Sequence, residues 1–452
     1  MFRPCQLGEA RIPATTPAAH PLANACSARQ APSVIRALPL LAFFLFAIGA
    51  ARAQSVGSTG QYEGSNGIKL GEGRAHPYFD LELRYDSAAG FFNTSGGANS
   101  ELKPEMIVHF RPGVRFELAS PSVYLNLDGN VDYLWYTQLI TKGSDSASRL
   151  QAAADLTANF NQGGTAELDL RDHFTRSDQT HNVALGIGVL SIYNEALASV
   201  PIRPGGKALE IAPNVGWSFE NYQSISSVTV PNCDPTDVTC ADPNQVNQFN
   251  YQNVRFGVDG RWRFLPKTAV TLNTQLDYRT YGNTNNNLPV TLLRASLGLA
   301  GLISTKVATV VRLGWGQDFK NSGAHTLIAQ AEVNYLVSDV SNVKVGYLRN
   351  LEPVPTFGIY GDDRGYLETR FLFSGRVSFH GYAAFDYFTY YGNSGGRKDT
   401  NVTLDLGPEY QVTKWLIGAA GYRLNVRGSN TSSAASVNFT RNEVYLRATF
   451  IY

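Results

Sequence analysis

Between Phe79 and Tyr452, apolar and polar residues alternate one by one in runs of about ten to fifteen, each closed by a turn-forming cluster. The last run is the simplest: Val444, Leu446, Ala448, Phe450 and Tyr452 share one phase, and Glu443, Arg447 and Thr449 the other. Side chains alternate across a strand, so this pattern predicts strands with one apolar and one wet face. Met106, Val108, Phe110, Val114, Phe116 and Leu118 likewise oppose Glu105, His109, Arg111, Arg115 and Glu117. After Ser120, Pro121 and Ser122 the phase restarts with Val123, Leu125, Leu127, Val131, Tyr133 and Trp135 against Asn126, Asp128, Asn130 and Asp132, which makes a β-hairpin.

Further tight turns are expected at Gln162–Gly164, Leu265–Lys267, Gly301–Ser304, Val337–Ser341, Ser374–Gly375 and Gln411–Lys414, with longer polar loops between them. Short and long connections must alternate in a membrane barrel. That parity demands two strands between Thr175 and Val254. One carries Leu209, Ile211, Val215, Trp217 and Phe219; the weaker one carries Ile192, Ala196, Ala198, Val200 and Ile202 and turns at Pro204–Gly206. With both, eight short turns and nine long loops give an all-β, antiparallel, up-and-down transmembrane β-barrel of about eighteen strands, sixteen being the alternative.

Composition agrees with that class. Only 17% of the 452 residues are charged while the hydrophobic fraction is 43%, and no run after residue 53 is apolar for eighteen residues, which excludes membrane-spanning helices. The one continuous apolar run, residues 37–51, follows Arg29 and Arg36 and precedes Ala51-Arg52-Ala53. It reads as a cleaved signal peptide within a presequence 1–53. Residues 54–75 then form a short flexible periplasmic segment and residues 76–452 the barrel. The Ala- and Pro-rich stretch before Val34 suggests that translation starts at Val34; ablating the Met1 codon tests this, since lost expression contradicts it.

Without the presequence the chain has 33 basic and 36 acidic residues, a charge of about −3, so nothing favours nucleic acid as a partner. Cys233 and Cys240 share one polar segment, which in an oxidising compartment reads as a disulfide; the competing zinc site has no histidine beside the pair. No metal or other cofactor is expected.

Catalysis finds little support. His76, His109, His173, His181, His325 and His380 fall in no nucleophile or metal spacing, and His173 and Asp172 are adjacent strand residues that point to opposite faces. Eighteen strands leave room for an aqueous channel, so the expected function is passage. The pore-lining candidates are Arg255, Asp259, Arg261 and Arg263 on one strand and Gln275, Asp277 and Arg279 on the next, with Tyr124, Asp128 and Asp132 elsewhere in the lumen phase. Opposed charges there suit charged or polyhydroxylated solutes. The commoner role of such charges is solvated wall or structural ion pairing. Tyr124, Tyr136 and Tyr382 could stack on sugars, but aromatics are also the ordinary membrane-interface girdle. No long loop reads as a constriction.

Tyr347-Leu348-Arg349-Asn350-Leu351 with Asp362-Asp363-Arg364, the Arg203-Pro204-Gly205-Gly206 turn, and Phe439-Thr440-Arg441-Asn442-Glu443-Val444-Tyr445-Leu446 are the features that carry a family resemblance. In these the chain resembles the type 2 β-barrel porins, bacterial outer-membrane proteins often linked to exopolysaccharide production. The resemblance implies a porin-like conduit for export of a secreted polysaccharide. The alternatives are a general or nutrient-uptake diffusion porin and a non-conducting structural or adhesive barrel. Expected partners are outer-membrane lipid and the barrel-assembly machinery, which would read Val444, Leu446, Ala448, Phe450 and Tyr452 as the C-terminal signal. Export would also need a periplasmic polysaccharide-export protein, since residues 54–75 are too short to bridge the envelope. The C-terminus is expected at the periplasmic face.

Overall fold

The computed structural model describes residues 67–88, 104–137, 149–177, 190–205, 208–223, 249–282, 289–320, 323–355, 358–391, 396–430 and 438–452. The presequence and the Cys233–Cys240 segment lie outside these residues. A three-residue strand, β1 (Ile68–Leu70), leads into β2 (Gly73–Asp86), β3 (Glu105–Ala119), β4 (Val123–Tyr136), β5 (Arg149–Phe160) and β6 (Leu168–Ser177). Next come β7 (Leu190–Ser199), β8 (Leu209–Gln223), β9 (Tyr251–Leu265), β10 (Thr268–Tyr281), β11 (Val290–Leu302) and β12 (Val307–Asp318). The chain closes with β13 (His325–Ser338), β14 (Ser341–Val354), β15 (Gly358–Phe373), β16 (Val377–Tyr390), β17 (Lys398–Thr413), β18 (Leu416–Ser429) and β19 (Phe439–Ile451).

Every neighbouring pair from β2 to β19 is antiparallel, and β19 returns to β2 from Glu443↔Asp86 to Ile451↔Tyr78. The result is a closed barrel of eighteen strands, with eight connections at one end and nine at the other; most of the nine are the longer ones, but the β14–β15 connection spans only three residues. Closure leaves no unpaired edge, the condition for strands in hydrocarbon. The turns fall where the sequence places them, with two small shifts, to Ile303–Lys306 and Lys414–Trp415. Ser374 and Gly375 take φ of 52° and 70°, left-handed values suited to a tight hairpin. The barrel also begins earlier than residue 76: β2 starts at Gly73, and β1 pairs Gly73–Ala75 just beyond the point where the Tyr452 N–H donates to the Pro77 carbonyl.

Large apolar side chains such as Leu297, Leu313, Phe256 and Leu446 stand exposed on the outer face. Aromatic residues rim it, Tyr133, Trp135 and Trp315 toward the long connections and Trp262, Phe264, Trp415 and Phe450 toward the turns. That arrangement matches a bilayer core flanked by its interfaces.

The inner face holds the polar groups. The seam is laced by Arg441, which donates to Asp86 at 2.6 Å, and by Arg84, which pairs with Glu82 and, at 3.1 Å, with Glu443. Three inward tyrosines lie flat over glycines of adjacent strands: Tyr78 on Gly113, Tyr366 on Gly346 and Tyr445 on Gly421. A Cβ at any of the three glycines would sit 2.2–2.3 Å from the ring. Glycine is required there because the ring occupies the space of the missing side chain, which also holds the tyrosine against the wall instead of across the lumen.

Candidate pore constriction

The ten candidate pore residues lie on the inner phase in two groups, on β4 and on β9–β10, separated by β5–β8. In the first group Arg115 pairs with Asp128 at 2.7 Å, which also accepts the Tyr78 hydroxyl at 2.9 Å. Asp132 receives Arg111 at 2.7 Å and faces His109 Nδ1 at 3.0 Å. Tyr124 lies near the turn end of β4. In the second group Asp259 accepts the Asn214 amide at 3.0 Å and that of Asn273. Arg261 and Arg263 continue the β9 phase toward the turns. Tyr136 is buried with Ile107 and Leu134, and Tyr382 faces inward on β16.

The remaining members of the second group belong to a longer array that sequence analysis did not anticipate. Asp277 on β10 accepts Arg255 of β9 at 3.1 Å and Arg294 of β11; Arg255 reaches Glu195 of β7 at 2.6 Å, and Arg294 reaches Glu352 of β14 at 3.0 Å. Glu195–Arg255–Asp277–Arg294–Glu352 is thus a chain of alternating charge. It passes over β8, where Gly216 leaves the room, and skips β12 and β13 altogether.

The skip is possible because the end of the β14–β15 hairpin leaves the wall. Pairing of β13 with β14 stops at Ala329↔Arg349, whereas β14 stays paired with β15 to Val354↔Gly358 and β15 with β16 to Tyr360↔Tyr390. Beyond Arg349 this flap, Leu351–Val354 and Gly358–Asp362, swings inside the ring. Leu351 belongs to the outward phase of β14, set by Val345, Tyr347 and Arg349. Yet Leu351 and Ile359 are fully buried against Tyr251, Tyr281, Val290 and Leu292, which project inward from β9, β10 and β11. Outward-phase residues can meet inward-phase ones only if the flap stands behind the wall.

Its other side packs Val354 and Tyr360 on Phe388 and Tyr390 of β16, with Tyr360 edge-on to Phe388 at 5.4 Å. Polar anchors finish the fit. Arg294 Nη1 donates to the Leu351 carbonyl and Arg279 Nη1 to the Pro353 carbonyl, both at 3.1 Å, and Arg279 also lies 3.9 Å over the Tyr251 ring. Gly316 on β12 makes room: a Cβ there would stand 2.8 Å from Leu351 Cδ1.

These side chains therefore build a one-sided constriction near the long-connection end. Arg255, Asp277 and Arg279 act mainly in holding wall and flap together, and Arg294, Glu352, Leu351 and Ile359 are the flap-docking positions sequence reasoning missed. One signal was present: Val290, Leu292, Tyr251 and Tyr281 are apolar or aromatic in a phase otherwise polar. The dyad question resolves as the strand phase requires. His173 turns inward to Asp155 at 2.5 Å, and Asp172 turns outward to accept from Asn194 at 3.1 Å.

No protein-family model matches the chain, and no curated protein matches it. Among solved structures, OccAB3 of Acinetobacter baumannii is 10% identical, covering 85% of this chain and 100% of that one at a TM-score of 0.43. OccK3 (OpdO) of Pseudomonas aeruginosa is 12% identical over 84% and 95% at 0.40, and the ferric enterobactin receptor PfeA of the same organism is 8% identical over 84% and 80% at 0.43. At such scores these likenesses carry no argument, and the barrel rests on its own strand pairing.

Proposed function

We propose that the chain is an outer-membrane channel that passes small hydrophilic solutes past the inward flap. The observation that carries this reading is the flap itself, docked inside a ring too wide for wall side chains alone to fill. The apolar outer belt suits a bilayer, the polar inner face suits water, and a flap fixed to one sector narrows the path without requiring a separate plug. Purified barrel in planar bilayers tests it. Discrete ion-conducting steps are expected. Absence of conductance from barrel that still shifts mobility on heating in SDS would overturn the reading and favour a structural or adhesive role.

A second reading is favoured by one observation: the resemblance to the type 2 β-barrel porins rests in part on Tyr347–Leu351 and Asp362–Arg364, which are the root and arm of the flap. On that reading the flap guards the exit of a secreted polysaccharide, delivered by a periplasmic export protein. Deleting the gene and measuring surface polysaccharide separates the two. Loss restored by a plasmid copy supports export; unchanged polysaccharide leaves the small-solute channel.

A further inference from the structure

Glu352 and Asp362 share the face of the flap opposite Leu351 and Ile359, so both carboxylates stand on the passage side. Arg364 serves two carboxylates at once. Its Nε donates to Asp386, whose other oxygen accepts the Asn401 amide at 3.0 Å, and its Nη2 lies 3.6 Å from Asp362 Oδ2. Asp362 Oδ1 accepts no hydrogen bond although the residue is only 7% exposed. A buried carboxylate oxygen without a donor, beside a shared guanidinium, marks a deficit of positive charge on this face.

The wall array has the same imbalance. Glu195–Arg255–Asp277–Arg294–Glu352 alternates in sign but begins and ends on a carboxylate. Asp277 and Arg294 in its middle are nearly covered, at 3% and 9%, whereas the Glu195 and Glu352 side chains are 29% and 26% exposed. Beside Tyr251 and Leu292 in the strand register stand two more buried carboxylates, Glu220 and Asp318. Glu220 accepts from the Ser191 and Tyr222 hydroxyls, at 2.6 and 2.9 Å, which bring no charge. Arg279 adds one cation. Among the described inward side chains of β7–β16 at the level of the flap, seven carboxylates thus face four guanidiniums, which leaves three negative charges unbalanced.

We propose that the constriction selects for charge, passing small hydrophilic cations in preference to anions, with Glu195, Glu352 and Asp362 setting the preference. Acidic side chains around a narrow, low-dielectric passage attract cations and repel anions. The inference rests on the channel reading above, and one recording separates the two. The purified full-length barrel is placed in a planar bilayer between unequal, dilute potassium chloride solutions, and the reversal potential is read. Potassium should permeate about fivefold more readily than chloride, the factor that one unbalanced charge about 8 Å from the ion path gives in water by attracting the cation and repelling the anion. Asp362→Asn should at least halve that ratio. Glu195→Gln, on the wall and not on the flap, should lower it as well, and Asp172→Asn, on the outer face, should leave it unchanged. A wild-type ratio at or below one, or a ratio unchanged in both the Asp362→Asn and Glu195→Gln variants, would overturn cation selection. Absence of any conductance would instead overturn the channel.

Discussion

Truncating both apolar anchors of the flap, Leu351→Ala with Ile359→Ala, should release it into the lumen water. Both side chains are fully buried and each loses about three carbons, at about 0.8 kcal/mol per buried methylene. The pair therefore removes about 5 kcal/mol of docking free energy. The two arginine-to-carbonyl bonds remain, each contributing about 1.5–3 kcal/mol as charge-assisted bonds. A change of about 5.5 kcal/mol carries a two-state equilibrium from 1:99 to 99:1, so the flap should pass from almost always docked to often free. Single-channel recording would show this as a larger and noisier open current. The matched control is Leu297→Ala with Leu313→Ala, which deletes as much apolar volume from the outer face and should leave the current unchanged. Wild-type conductance and noise in a folded double variant would refute the flap as the constriction.

Other consequences concern stability. Arg294→Met leaves Asp277 and Glu352 short of a cation and should destabilise the barrel by about 3 kcal/mol, read from its urea midpoint in lipid vesicles; an unmoved midpoint contradicts the bridging role. Gly421→Ala forces the Tyr445 ring off the wall at a cost of about 1–3 kcal/mol. A double-mutant cycle with Tyr445→Ala should recover most of that loss, and simple additivity would refute the contact. Arg441→Ala strips a fully buried Asp86 of its guanidinium at the closing seam, so the compact band in SDS should unfold at a lower temperature; an unchanged transition would mean the seam does not depend on this pair.

Alternation and turn parity together determined the fold, because lipid outside and water inside impose opposite demands on successive residues. From them followed eighteen strands, including the weak β7, whose existence rests on parity more than on its own residues. The inner phase of Arg255, Asp277, Asp128 and Asp132 was legible for the same reason. What side chains in that phase touch was not, since Asp277 is joined through Arg294 of β11 to Glu352 of β14, past β12 and β13, a distance along the chain that no local pattern encodes. The flap was hidden more deeply. Leu351 and Ile359 have the apolar character of lipid-facing residues, and a strand that swings inside its own barrel keeps that character while exchanging lipid for Val290 and Leu292. Periodicity records only that a face is apolar. Which apolar surface covers it, bilayer or the opposite wall, is decided by the curvature of the closed sheet and the room left at Gly316.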